Sequence, residues 1–505
     1  MTNCHFSRFA AGLLTAAGLS LTQAPPLSAA QFLDGGDADL GCILTVQGPI
    51  RSGDADGFRA ALDRVVGNPY AGESDFLDRW DQVGGLAVPR ICLDSPGGSL
   101  AEALKMADVL TDQTGDNGYL YSAIGTAVPR DATCHSACAV LFMAGGTQSE
   151  SSGGRLPNRV LHAQGSLGFH APGLDIADGN YSAEAVDRAF AIAVRSIGEL
   201  SDRQSQMRFP ATLMNRMVAT PPQDMYVLQT VGEASQWMID VVGLPYPAKV
   251  SRGHFVNACL NAQPGLRPST GYYQTYATRH DGPGRSFFSG RRLGDYSESV
   301  LARHYTRGEA EIDLGTSGDF GDARFVSDPE PAEDGLNCEV SFGGRWPMDT
   351  PMRGNTRRLS ISFAHGDAMA LDQAALYPPW TRFAELAARH GTGAVPADAT
   401  VWTDRRSLET RCLVYNSADR KTDDDPCDAV ETARFTGDGT MQVTVEFTWP
   451  SGASTVVQMD GTGPRINGSR ATKPYIEGVF DISDHMQCLR NSGSGNAFCF
   501  DMRAY

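Results

Sequence analysis

No Cys-x-x-Cys pair occurs in the 505 residues, which excludes the usual ligand spacing of a zinc ribbon and the redox motif of a thioredoxin-like site. Long apolar runs are missing beyond residue 30, so no later segment reads as a membrane span. Positive charge is in deficit: 42 Lys and Arg stand against 59 Asp and Glu, a formal net charge of −17. That balance argues against nucleic acid and anionic membrane as partners. Apolar content is not short. With 41% hydrophobic and 20% charged residues the chain has the make-up of a core-forming protein, long enough for two or three domains.

What is present begins with a leader-like segment. Arg8 is the only charged side chain in the first thirty residues, and an apolar run from Phe9 to Leu21 follows it. Pro25-Pro26 and then Ser28-Ala29-Ala30 supply the small residues a signal peptidase reads. Residues 1–30 are therefore expected to be a removable secretory signal, and the mature protein an exported one, periplasmic or extracellular, with no membrane insertion after cleavage. Cys4 leaves with the signal. The remaining cysteines are Cys42, Cys92, Cys134, Cys138, Cys259, Cys338, Cys412, Cys427, Cys488 and Cys499, an even number that suits disulfides in an exported chain. Cys412 with Cys427 and Cys488 with Cys499 each close a short polar loop and are the expected local pairs.

From residue 38 to 247 short apolar runs alternate with helical patterns, the mark of a layered α/β domain. Strands are expected at Cys42–Val46, Leu86–Leu93, Tyr119–Ile124 and within Val160–Phe169. Helices are expected at Asp56–Val66, Leu100–Leu110, Ser136–Ala144, Ala183–Leu200, Ala211–Ala219 and Gly232–Val241. Beyond Pro245 the chain turns rich in Gly, Ser, Thr and Asp with short alternating strands, giving two β-rich modules, 250–380 and 405–505. The clearest hairpin runs from Met441 to Met459, turning at Pro450-Ser451-Gly452.

Three segments in the first half carry chemistry. Asp94-Ser95-Pro96-Gly97-Gly98-Ser99 lies between a strand and a helix, where paired glycines and unpaired helix-start N–H groups are the raw material of an oxyanion hole. Cys134-His135-Ser136-Ala137-Cys138 puts a serine at the first turn of an apolar helix, where the helix dipole favours negative charge; a plain N-cap is the other use of such a serine. Gly168-Phe169-His170-Ala171-Pro172 puts a histidine where a strand ends, as a general base or as a structural residue.

In this order the segments resemble the Clp-protease/crotonase superfamily, over roughly residues 40–245. The closest likeness is to exported Clp-like proteins, whose nucleophile motif resembles Cys-x-Ser-Ala-Cys. Pro222-Gln223-Asp224-Met225, followed by a helix and Gly243-Leu244, resembles the family's acidic element. The resemblance implies a ββα superhelix domain and an ATP-independent serine hydrolase, a peptidase, acting on a peptide or protein. It implies Ser136 as nucleophile, His170 as base and Asp224 as the residue orienting it. The oxyanion donors would be backbone N–H groups of Ala137 and of Gly98 or Gly97. The extended segment after Gly98 would pair with a substrate strand. Self-association is a further implication.

Two features depart from the family: the polar insert Glu150–Arg155 between serine and histidine, and the cysteines flanking Ser136. Cys134 and Cys138, one helical turn apart, are close enough for a bridge pinning the turn; pairing with Cys92 is the alternative. His135, His162, Asp175 and Asp178 compete for the base and acid roles, and Lys105 is the only lysine between Ala30 and Pro247 that a lysine-based variant could use. Asp423-Asp424-Asp425 lacks calcium-loop spacing and reads as a solvated acidic loop, so no metal or cofactor is expected. The tyrosines and arginines between Tyr272 and Arg292 read as buried strand residues with solvated arginines, or as a glycan or peptide face. The rival from another class is a non-catalytic binding or scaffolding protein on the same fold, its function in the β-rich half.

Overall fold

The computed structural model describes residues 29–67, 89–114, 118–148, 155–173, 179, 181–248, 250–261, 309–313, 320–326, 337–343, 359–363, 369–460, 463–477, 479 and 486–501. The leader, the insert at 150–154, Asp175, Asp178 and the stretch from Tyr272 to Arg292 lie outside these residues.

The first half is built on parallel strands. β1 (Gln31–Asp34), β2 (Cys42–Gln47), α1 (Asp54–Val66), β3 (Arg90–Asp94), α2 (Leu100–Thr111), α3 (Gly118–Ser122) and β4 (Gly125–Val128) come first. β5 (Thr133–His135), α4 (Ala137–Phe142), the small hairpin β6 (Gly146–Gln148) and β7 (Arg155–Pro157), β8 (Arg159–His162) and β9 (Ser166–Phe169) follow. Then come α5 (Ala183–Asp202), α6 (Gln204–Met207), α7 (Ala211–Ala219), β10 (Tyr226–Val227), α8 (Val231–Gln236) and β11 (Asp240–Val242).

A six-stranded sheet runs β1-β2-β3-β4-β8-β11, parallel throughout except for the antiparallel edge strand β1. Its central strands read as continuous apolar runs because both faces are covered: Ile91, Cys92 and Leu93 of β3 are all buried. α1 and α2 bury Phe58, Leu62 and Val66, and Leu104, Met106 and Leu110. A second, three-stranded sheet of order β10-β9-β5 carries the ends of the nucleophile and histidine segments.

Two expected elements differ. Tyr119–Ile124 was expected as a strand; Gly118–Ser122 is a short helix and the strand starts at Gly125. A short buried apolar run fits either period, and only the next four residues find a sheet neighbour. The helix expected over Gly232–Val241 stops at Gln236, where Met238 takes a positive φ of 54° and the chain enters β11.

The second half contains a five-stranded antiparallel sheet between Glu309 and Leu371 and a closed eight-stranded barrel from Thr400 to Asp501. Barrel strands alternate inward and outward residues: Met441, Val443, Val445 and Phe447 are buried and their neighbours are not. The Met441–Met459 hairpin forms with its turn at 449–453, and Leu359–Phe363 is a strand. Asp423-Asp424-Asp425 stands in a barrel strand rather than a loop, with Asp424 paired to Arg411 and Lys421, each at 2.7 Å.

The halves share one buried core, welded by residues 372–396 and the helix Arg252–Asn261. Gly232 and Val231 donate to the carbonyls of Pro379 (2.6 Å) and Thr381 (3.0 Å), and the Tyr377 hydroxyl donates to Pro245 O at 2.8 Å. Asn257 and Asn261 amides satisfy the carbonyls of Leu376, Ala375 and Tyr377.

Among the described residues four disulfides join Cys42–Cys92, Cys134–Cys138, Cys412–Cys427 and Cys488–Cys499. The last two are the expected local pairs, each closing a barrel hairpin, and the second is the bridge across the Ser136 turn. Such bridges point to an oxidising, non-cytoplasmic location. Among the described residues no helix is long and apolar enough to cross a membrane.

Candidate active site

Ser136 stands between β5 and α4 with φ 56° and ψ −124°, a backbone region that ordinary residues rarely occupy. Holding a non-glycine residue there costs about 1–3 kcal/mol, which the surrounding structure must supply. Several bonds do so. Ser136 N–H donates to Gly168 O at 2.9 Å, and the Ser136 carbonyl accepts from Ala139 N–H at 3.0 Å. Ser95 N–H donates to Thr133 O (2.6 Å) and His135 N–H to Ser95 O (3.1 Å), tying the glycine segment to β5. The Cys134–Cys138 bridge closes over the turn from behind, both cysteines being buried.

An N-cap serine would spend its hydroxyl on the helix start. Here α4 has no side-chain cap hydrogen bond from Ser136. The positive φ is thus not explained by capping; it turns the serine sharply between strand and helix, the shape of a nucleophile turn.

The glycine segment packs directly on this turn. Gly97 has φ 96°, and a Cβ there would lie 2.5 Å from His135 O, 2.7 Å from Ser136 Cβ and 3.0 Å from Ala137 N, so only glycine fits. Of the two glycine N–H groups, that of Gly97 is spent on Ser95 Oγ at 3.1 Å. Gly98 sits in a parallel bridge to Ile50 whose bonds run through its neighbours, Ile50 N–H to Gly97 O (2.8 Å) and Ser99 N–H to Ile50 O (2.9 Å). Its own N–H therefore faces away from Ile50. Gly98 N–H and Ala137 N–H, the latter at the first position of α4, are among the donors of these two segments with no described acceptor.

The substrate-pairing segment expected after Gly98 is not there. Ser99 caps α2, its hydroxyl accepting from Glu102 N–H at 3.3 Å, and Ile50 already occupies the backbone edge.

His170 follows the last residue of β9, beside the serine turn through the parallel β5–β9 pairing. Its Nδ1 lies 2.7 Å from Ala171 O. His135 is half-buried with Nε2 2.8 Å from Ser166 Oγ, and burial together with the nearby His170 holds its pKa below the usual histidine value. That bond occupies His135 elsewhere. His162, at the far end of β8, accepts from Gln164 N–H at 3.1 Å and backs onto Gly243. Lys105 lies on α2 in an ion pair with Glu102 at 3.0 Å.

Asp224 is exposed, its N–H donating to Pro221 O at 2.9 Å. Among the described contacts none joins its carboxylate to His170. The site thus brings Ser136, Gly97, Gly98, Ala137 and the His170 segment together. Sequence reasoning missed Ser95 and Ser166, whose hydroxyls fix a glycine N–H and the rival histidine; an ordinary serine carries no signal of such a duty.

No family model matches the chain, and comparison with curated proteins finds no relative.

Proposed function

We propose that this chain is an exported, ATP-independent serine hydrolase acting on a peptide or protein, on a Clp-protease/crotonase-type domain, with Ser136 as nucleophile and His170 as general base. The observation that carries the reading is the backbone of Ser136: a strained strand-to-helix turn, free of capping duty, with a glycine packed on it. In the reaction His170 Nε2 takes the Ser136 proton as Oγ attacks the carbonyl and later returns it to the leaving group. Gly98 and Ala137 N–H groups receive the developing oxyanion, each worth about 3 kcal/mol in the transition state. The four disulfides support the oxidising location that export would provide.

The test is labelling of the purified mature protein with a fluorophosphonate, beside Ser136→Ala. Wild type should label at one site and Ser136→Ala should not. A folded wild type that stays unlabelled would overturn the reading in favour of a binding or scaffolding protein whose function lies in the β-rich half.

A further inference from the structure

We propose that the Ala171 carbonyl, and not a carboxylate, is the group that orients His170, so that the site works as a serine–histidine pair set by main chain. The inference rests on the serine-hydrolase reading for its role but on independent geometry for its substance. A carbonyl oxygen has lone pairs and no proton, so the 2.7 Å contact requires Nδ1 to be the donor. In the neutral ring that choice leaves Nε2 as the acceptor, the tautomer a general base needs. The job usually given to a buried carboxylate is thereby done by the backbone next door.

The carbonyl is itself held. Ala171 N–H, on the other side of the same Cα, donates to Thr220 O at 2.8 Å and ties the residue to the end of α7. Pro172 follows and restricts Ala171 to extended backbone, which limits where its carbonyl can point.

Asp224 is poorly placed to compete. Phe169 pairs with Tyr226 and Gly168 with Val227. The pairing stops at those two rungs: Asp224 stands in the bend before β10 with its N–H turned back to Pro221 O at 2.9 Å, and no described contact brings its carboxylate to the face that Gly168 presents. Met225 does lie over this face: its sulfur and the His135 ring would both be met by a Cβ on Gly168. An exposed carboxylate in water is also a weak orienting group compared with a fixed carbonyl.

Two measurements test this on the full mature protein. The first is the tautomer of His170 by nitrogen-15 NMR of histidine-labelled protein at a pH where the ring is neutral, assigned with His170→Gln. The Nδ1–H form is expected in wild type and in Asp224→Asn; an Nε2–H ring in wild type, or a switch of tautomer in Asp224→Asn, overturns the proposal. The second is the fluorophosphonate labelling rate. Asp224→Asn should stay within about 3-fold of wild type, and Pro172→Gly, which frees the Ala171 carbonyl, should slow labelling about 10-fold with an unchanged Tm. A loss of 100-fold or more in Asp224→Asn, of the kind seen when a true triad carboxylate is neutralised, overturns it. Should wild type not label at all, the hydrolase reading fails and the tautomer still decides this one.

Discussion

The two halves of this molecule solve different problems with different backbones. The barrel from Thr400 to Asp501 is locally regular: consecutive strands pair with their chain neighbours, burial alternates residue by residue, and two disulfides close hairpins. The α/β half pairs strands that are far apart in sequence and places a non-glycine residue in a strained conformation at Ser136. There the disulfides do other things, one tying β2 to β3 and one closing over the strained turn. Regularity suits a scaffold; strain that several bonds and a disulfide conspire to hold is the usual sign of a working site.

The contrast breaks most completely at Gly97. Alanine there would press on His135 O and Ser136 Cβ, and its φ of 96° adds backbone cost. Fluorophosphonate labelling of Gly97→Ala should fall below detection, and thermal unfolding should move down as well. Retained labelling would mean that the glycine does not define the site. Next in size is the Cys42–Cys92 bridge, whose sequence separation of 50 gives it the longest closed loop of the four. Replacing both cysteines by Ser should lower unfolding free energy by about 4 kcal/mol, read by denaturant titration, while labelling of the folded protein persists. The Cys134/Cys138 pair replaced by Ser should do the reverse. It should lose labelling with the smaller stability change, because its separation is only 4. Equal behaviour of the two pairs would show that the turn needs no clamp.

How much of this was legible in the sequence follows the same division. The barrel hairpin at Met441–Met459 could be read directly, since alternation and a Pro-Ser-Gly turn are local signals. Barrel closure, in which the strand from Thr400 meets the one ending at Asp501, is a non-local pairing that no window of sequence contains. The order of glycine pair, serine and histidine was visible as a motif. The Cys42–Cys92 pair was not, because it depends on β2 and β3 being parallel neighbours across an intervening helix. Asp224 was read from a motif that fixes a residue type and not the direction in which a bend carries its side chain. The carbonyl that contacts His170 carries no sequence signal at all, since every residue has one.

Where the halves meet, His254 offers a test of the junction by pH. Its ring is fully buried beside Phe435, Nδ1 accepts from Ser251 N–H at 3.1 Å, and burial pushes its pKa down to about 3 from 6.5. In the fold the ring is held neutral, while the unfolded chain takes up a proton below about pH 6.5. The contribution is therefore fully present above that pH and drains as pH falls toward 3, at about 1.4 kcal/mol per unit. Urea titrations at pH 7 and pH 5.5 should show that loss, and His254→Asn, which keeps an acceptor but cannot titrate, should flatten it. An unchanged slope in His254→Asn would assign the acid sensitivity to other groups.

The smallest expected effect is the most direct control on the comparison. Gly452, in the barrel turn, has a φ of 80°, close to that of Gly97, yet a Cβ there meets nothing within 4 Å. The same glycine-to-alanine change therefore meets only the left-handed backbone cost, about 1 kcal/mol, and none of the crowding. Gly452→Ala should lower stability by that amount in a denaturant titration and leave labelling untouched. If it proved as damaging as Gly97→Ala, the backbone conformation alone would account for both. The close packing of Gly97 on Ser136 would then lose its special standing. A small cost at Gly452 beside total loss at Gly97 would instead locate the difference between the halves in what the backbone approaches, not in the angle it adopts.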